Sequence, residues 1–183
     1  ARRYGYTPET IYAIAARVRG SDGVVLDSTP LLLGGYYLRT PPAVVVLGGR
    51  WFVVWHSNWS HDNSSADTVG VFVSADGSKT AGTNLYGPFS TGGGNGIFEV
   101  GLASNGTVAL LVQSAEISSG VETDLVARLI NADGTLQPVF YATPWRGNQY
   151  LPRAAWDGNQ FIVVYTDQRN RLADLDLLNA RGE

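Results

Sequence analysis

Residues 156–169 read Trp156-Asp157-Gly158-Asn159-Gln160-Phe161-Ile162-Val163-Val164-Tyr165-Thr166-Asp167-Gln168-Arg169, a turn followed by a strand. Gly and Asn tolerate positive φ, so Asp-Gly-Asn is turn chemistry, and Phe161 to Tyr165 is an apolar, β-branched and aromatic run of strand length. Related segments begin at Gly48-Gly49-Arg50-Trp51-Phe52-Val53-Val54-Trp55 and at Asn105-Gly106-Thr107-Val108-Ala109-Leu110-Leu111-Val112. The runs Trp51 to Trp55, Val108 to Val112 and Phe161 to Tyr165 are apolar at successive positions, the pattern of strands buried on both faces.

A second marker shares the period. Ser21-Asp22-Gly23, Ala75-Asp76-Gly77 and Ala132-Asp133-Gly134 are hairpin turns, with a degenerate fourth at Ala180-Arg181-Gly182. Both markers recur at about 50 residues, the scale of one propeller blade or one trefoil unit. Each full period holds a set of strand candidates. The first follows a Pro or Gly, at Pro42 to Val46, Ile97 to Ala103 and Pro152 to Trp156. The second is the apolar run. Polar loops follow at His56 to Ala66, Gln113 to Glu122 and Thr166 to Ala173. The third strand ends at the Asp-Gly type turn, at Ile11 to Arg19, Thr68 to Val73, Asp124 to Ile130 and Asp174 to Leu178. A weaker fourth lies near Val24 to Leu26, Thr83 to Tyr86 and Leu136 to Tyr141. Pro8 to Val18 is the best helix candidate, but its β-branched and aromatic content marks it as strand.

The expected fold is all-β: a propeller portion of about three blade repeats, each with about four antiparallel strands, and with split end blades. The repeats fall near 11–66, 67–122 and 123–173, with a partial fourth at 174–183, in a single domain. Three units fall short of the roughly four to eight blades of an ordinary propeller. Two completions are therefore expected: the remainder of a longer chain, or a homodimer closing a ring of about six blades. A β-trefoil is the rival fold, because it too has three units of this size.

The blade pattern resembles that of secreted bacterial β-propellers, P-x-A-x-D-G-x-x-F-L-V-x-W-x-D-x-R followed by D-I-x-G-x-x-V-x-x-D-G. Residues 156–169 carry it best, with Asp174 to Gly182 following. The Asp-x-Arg pair is present only as Asp167 and Arg169, while the stretches matched to it read His56-Ser57-Asn58 and Gln113-Ser114-Ala115. The resemblance implies an extracellular or cell-surface module and no particular active site.

Composition narrows function further. A net charge of −3 offers no basic field for a phosphate backbone, which argues against nucleic-acid binding. Apolar runs are far shorter than the roughly 18 residues of a membrane-spanning helix. With no Cys, disulfides, thiolate metal sites and cysteine nucleophiles are excluded. The leading expectation is a non-catalytic binding or scaffolding module with a carbohydrate or protein ligand. A glycoside hydrolase with a central-channel site is the alternative, and a purely structural surface protein is a third.

Candidate contacts follow from residue type. Trp59, Trp145 and Tyr150 are read as loop or link aromatics, whose faces stack on sugar rings. Asp167 and Arg169 form a charged pair, in which Arg either makes a blade-to-blade salt link or holds a ligand carboxylate in bidentate fashion. His56, His61 and Asp62 cluster in one polar loop, a donor set for Zn²⁺ or Ca²⁺. No catalytic residue and no obligatory cofactor is assigned. Glycosidase chemistry needs two carboxylates about 5 to 9.5 Å apart, and spacing in sequence does not single out such a pair.

Overall fold

A computed structural model describes residues 12–35, 41–58, 66–85, 100–118, 122–143 and 148–168. Among these residues the regular structure is all strand: β1 Tyr12–Ala15, β2 Leu31–Gly35, β3 Ala43–Leu47, β4 Arg50–Asn58, β5 Ala66–Val73 and β6 Thr83–Asn84. The second half holds β7 Val100–Ser104, β8 Val108–Ser118, β9 Glu122–Asn131, β10 Phe140–Tyr141, β11 Asn148–Trp156 and β12 Phe161–Gln168. They form small antiparallel sheets, none closed on itself. Two are four-stranded and run in chain order, β3-β4-β5-β6 and β7-β8-β9-β10, and two are pairs, β1-β2 and β11-β12.

Turn chemistry sets the hairpins. Gly48 and Gly49 both have positive φ, and Leu47 pairs directly with Arg50, so a two-residue primed turn joins β3 to β4. The matching turns after β7 and β11 are longer, closed by bonds from Asn105 N–H to the Val108 carbonyl and from Asp157 N–H to the Gln160 carbonyl. Each is held by its first side chain. Asn105 Oδ1 accepts from the N–H groups of Thr107 and Val108, and Asp157 Oδ1 from those of Asn159 and Gln160. In the Ala-Asp-Gly turns, Asp76 likewise accepts from Ser78 and Asp133 from Thr135.

The unequal turns shift the repeat. Trp51 lies opposite Val73 and Ala109 opposite Ile130, and Val73 and Ile130 stand at the same remove from their turn glycines, Gly77 and Gly134. Ala109, not Val108, therefore takes the place of Trp51. A one-residue offset exchanges the two faces of a strand. With it corrected, Phe52 and Val54 correspond to Leu110 and Val112, and both pairs face the sheet that follows.

The sheets pack face to face in chain order. Phe52, Val54 and Phe72 of the first four-stranded sheet pack on Leu111, Val126 and Ile130 of the second. The opposite face of the first sheet, with Val53, Trp55, Val71 and Val73, receives Ala13 and Leu33 of β1 and β2. The opposite face of the second, with Leu110, Val112, Leu125 and Ala127, receives Phe161, Val163 and Tyr165 of β12. Full burial of one such large side chain is worth about 1.5–3 kcal/mol, so these three interfaces are the main source of cohesion.

Polar bridges cross the same interfaces. Arg17, paired with Asp27, donates to the Ala75 carbonyl at 2.6 Å, and Arg50, lying over the Phe72 ring, donates to the Ala132 carbonyl at 2.7 Å. In both cases an arginine of one layer grips the Ala-Asp-Gly turn of the next. The first strands β3, β7 and β11 are neighbours in space. At Gly101 on β7 a Cβ would stand 3.2 Å from the Pro152 carbonyl group, so glycine permits the close approach of β7 to β11.

Several expectations are corrected. Val24 to Leu26 supplies only the bridge between Val25 and Val18, and the partner of β1 is β2, further along the chain. The polar runs from His56, Gln113 and Thr166 do not begin as loops, because β4, β8 and β12 extend to Asn58, Ser118 and Gln168. Among the described residues β12 is packed on one face only: Ile162 and Val164 are exposed where two-sided burial was expected, and Trp51 is partly open as well. Asp174 to Leu178 lies outside the described residues, and no helix among those described is long and apolar enough to cross a membrane.

Candidate functional site

Inside the interface between the two four-stranded sheets, three buried polar side chains replace apolar ones. His56 on β4 lies opposite Thr68 on β5, and its Nδ1 is 3.3 Å from Thr68 Oγ1. Thr68 Oγ1 in turn donates to Gln113 Oε1 on β8, in a short bond across the interface. A hydroxyl has one proton to give. Shared between the two contacts, the Thr68 hydroxyl ties the imidazole of one sheet to the amide of the next. A buried polar group without a partner costs about 1–3 kcal/mol, so this chain makes tolerable what an apolar core would otherwise reject.

His56 is thus a buried strand residue engaged with Thr68, not the first ligand of an exposed loop. Among the described residues no group of three or more His, Cys, Asp or Glu side chains converges for a metal. His61 and Asp62 lie outside those residues, as do Trp59, Trp145 and Arg169. Tyr150 belongs to β11, half-buried and opposite Thr166, where a link had been expected. Asp167 belongs to β12, half-buried and opposite Gln149. Gln149 is itself buried, with its Oε1 3.4 Å from the Thr143 hydroxyl. Neighbouring Asn148 accepts from the Thr123 N–H at 2.9 Å.

Sequence reasoning missed Thr68 and Gln113. One signal was present, because Thr68 is a lone hydroxyl in the apolar run Thr68-Val69-Gly70-Val71-Phe72. In the corrected register His56, Ser114 and Thr166 share one position, the first polar residue after the apolar run of β4 and β12 and the second in β8, where Gln113 comes first.

A cleft among the described residues lies elsewhere. The first strands of three successive sheets border a half-open cleft of about 260 Å³, with Pro41, Pro42, Val100 and Leu102 as apolar walls and Arg153 on its rim. Arg153 Nη1 donates to the Pro152 carbonyl at 3.0 Å, which fixes one end of the guanidinium fork. Among the described lining residues Arg153 is the charged one. Proline and valine surfaces beside a guanidinium suit a ligand with an apolar face and an anionic group. Comparison with protein-family models, curated proteins and solved structures finds no match.

Proposed function

We propose that the chain is a portion of a β-propeller serving as a non-catalytic binding module, outside the cell or at its surface. The observation that carries the reading is the cleft bordered by the first strands of three successive sheets. In a propeller those strands line the central channel, where a ligand touches several blades at once. Sheets that are simple meanders in chain order, packed face to face, support a propeller over a trefoil. The preferred ligand is a glycan bearing carboxylates, with sugar faces against Pro41 and Pro42 and a carboxylate on Arg153. A protein ligand with an acidic side chain uses the same chemistry.

The test is a glycan array followed by calorimetry with the best acidic oligosaccharide. Binding is expected to weaken about tenfold or more in Arg153→Gln, the loss of one charge-assisted pair. Failure to bind acidic glycans, or binding indifferent to that change, removes the ligand assignment and leaves a scaffolding role.

A further inference from the structure

Register equivalence shows which faces of the stack lack a neighbour. Ile162 and Val164 on β12 occupy the positions of Phe52 and Val54 on β4 and of Leu110 and Val112 on β8. Those four internal residues are buried under the following sheet, whereas Ile162 is 43% and Val164 65% exposed. At the other end of the stack, β1 and β2 cover only part of the first four-stranded sheet. They sit over Val53, Trp55, Val71 and Val73 of β4 and β5. The same face continues onto β3 and the start of β4, where Val44 is 60%, Val46 55% and Trp51 36% exposed. Among the described residues these two apolar faces are open, as is the outer face of β1 and β2 with Tyr12, Ile14 and Leu32, and each of the two directly continues an interface that the molecule already forms.

The two faces complement each other in strand position. In both whole sheets the second strand pairs with the third, β4 with β5 and β8 with β9. β11 and β12 match the first and second strands of such a sheet, and β1 and β2 match the third and fourth. β12 and β1 are both edge strands among the described residues. A strand laid along β1 on the β3 side would cover Val44, Val46 and Trp51, and its inward residues would be Ile162 and Val164.

We infer that the outer face of β11–β12 in one copy docks on Val44, Val46 and Trp51 of a second copy, with β12 lying along β1. The halves then complete one shared four-stranded sheet. The contact joins two different patches, so it is heterologous; repeated reciprocally between two copies it closes on itself. The docking rests on sheet packing alone, and it stands whether or not the cleft binds a glycan. Closure of the pair into a ring of about six sheets rests in addition on the propeller reading.

The chain contains no Cys, which makes the contact directly testable. Chains carrying Val44→Cys and chains carrying Val164→Cys are mixed and treated with a short bismaleimide. Expected is a covalent dimer in the mixture and little or none with either variant alone. Sedimentation equilibrium of the unmodified chain at tens of micromolar should give twice the chain mass. Val44→Asp and Val164→Asp should each raise the dissociation constant at least about tenfold. Both positions are exposed in the single chain, so its circular dichroism should not change. A monomer at every concentration overturns the inference, as does a dimer indifferent to both Asp substitutions or a cross-link formed equally well by one variant alone. Loss of glycan binding in a chain that still dimerises would count against the cleft and not against this contact.

Discussion

Thr68 Oγ1 joins His56 Nδ1 to Gln113 Oε1 across the sheet interface. A Thr68→Val chain keeps the shape of the side chain but removes both bonds, leaving Gln113 Oε1 and His56 Nδ1 facing an apolar surface. The expected cost is about 1–3 kcal/mol in urea denaturation, with Thr68→Ser recovering most of it. Gly101 gives a second prediction. In Gly101→Ala the new methyl meets the Pro152 backbone at 3.2 Å, and a destabilisation of about 1–3 kcal/mol is expected. Of the candidate site, little could be read from single residues. His56 looked like a loop ligand because polar residues after an apolar run usually mark its exit from the core. Here the polar residues remain inside because they satisfy one another across a sheet interface, a relation between residues 45 apart in the chain that spacing does not reveal.

The turns are the elements whose chemistry was plain in the sequence. Asp-Gly and Asn-Gly signals at residues 76, 105, 133 and 157 all mark turns held by their own side chains. Bonds from the Ser78 hydroxyl and N–H hold Asp76 below the usual carboxylate range. The Thr135 N–H and hydroxyl do the same for Asp133, and the N–H groups of Gln160 and Asn159 for Asp157. A carboxyl whose folded value lies below its unfolded value favours the fold while ionised. Its contribution is present above about pH 4 and is lost as pH falls through the folded value. Melting temperature should therefore be nearly flat from about pH 7 to 5 and decline below about pH 4. A triple Asp76→Asn, Asp133→Asn, Asp157→Asn chain keeps the acceptor oxygens, as Asn105 does, and should decline less steeply. The strand register was harder to read than the turns. Gly48-Gly49 closes its hairpin in two residues and the later turns do not, so aligning glycines placed Val108 one position from its true equivalent, Ala109.

Among the described residues, the second four-stranded sheet is packed on both faces, the first is covered on one face and part of the other, and the two pairs are covered on one. Local opening should therefore be easiest at the ends of the stack. Amides of β8 and β9 are expected to exchange slowest, with those of β1, β2 and β12 at least about tenfold faster in dilute solution by mass spectrometry. Uniform protection across all layers would contradict this. The period near 50 residues made the sheet order legible, because strand sets recur with their turns. One-sided burial of β12 was not legible, since its residues are as apolar as those of β4 and β8; what differs is the presence of a neighbour. The arginine bridges add a consequence for how such a chain changes in length. Arg17 grips the Ala75 carbonyl and Arg50 the Ala132 carbonyl, so each turn closes its own hairpin and latches the layer before it. Arg17 lies six residues before Gly23 and Arg50 opens β4, so the two latches reach successive turns from different positions in the period, and a duplicated period carries a latch only where it includes one of these arginines.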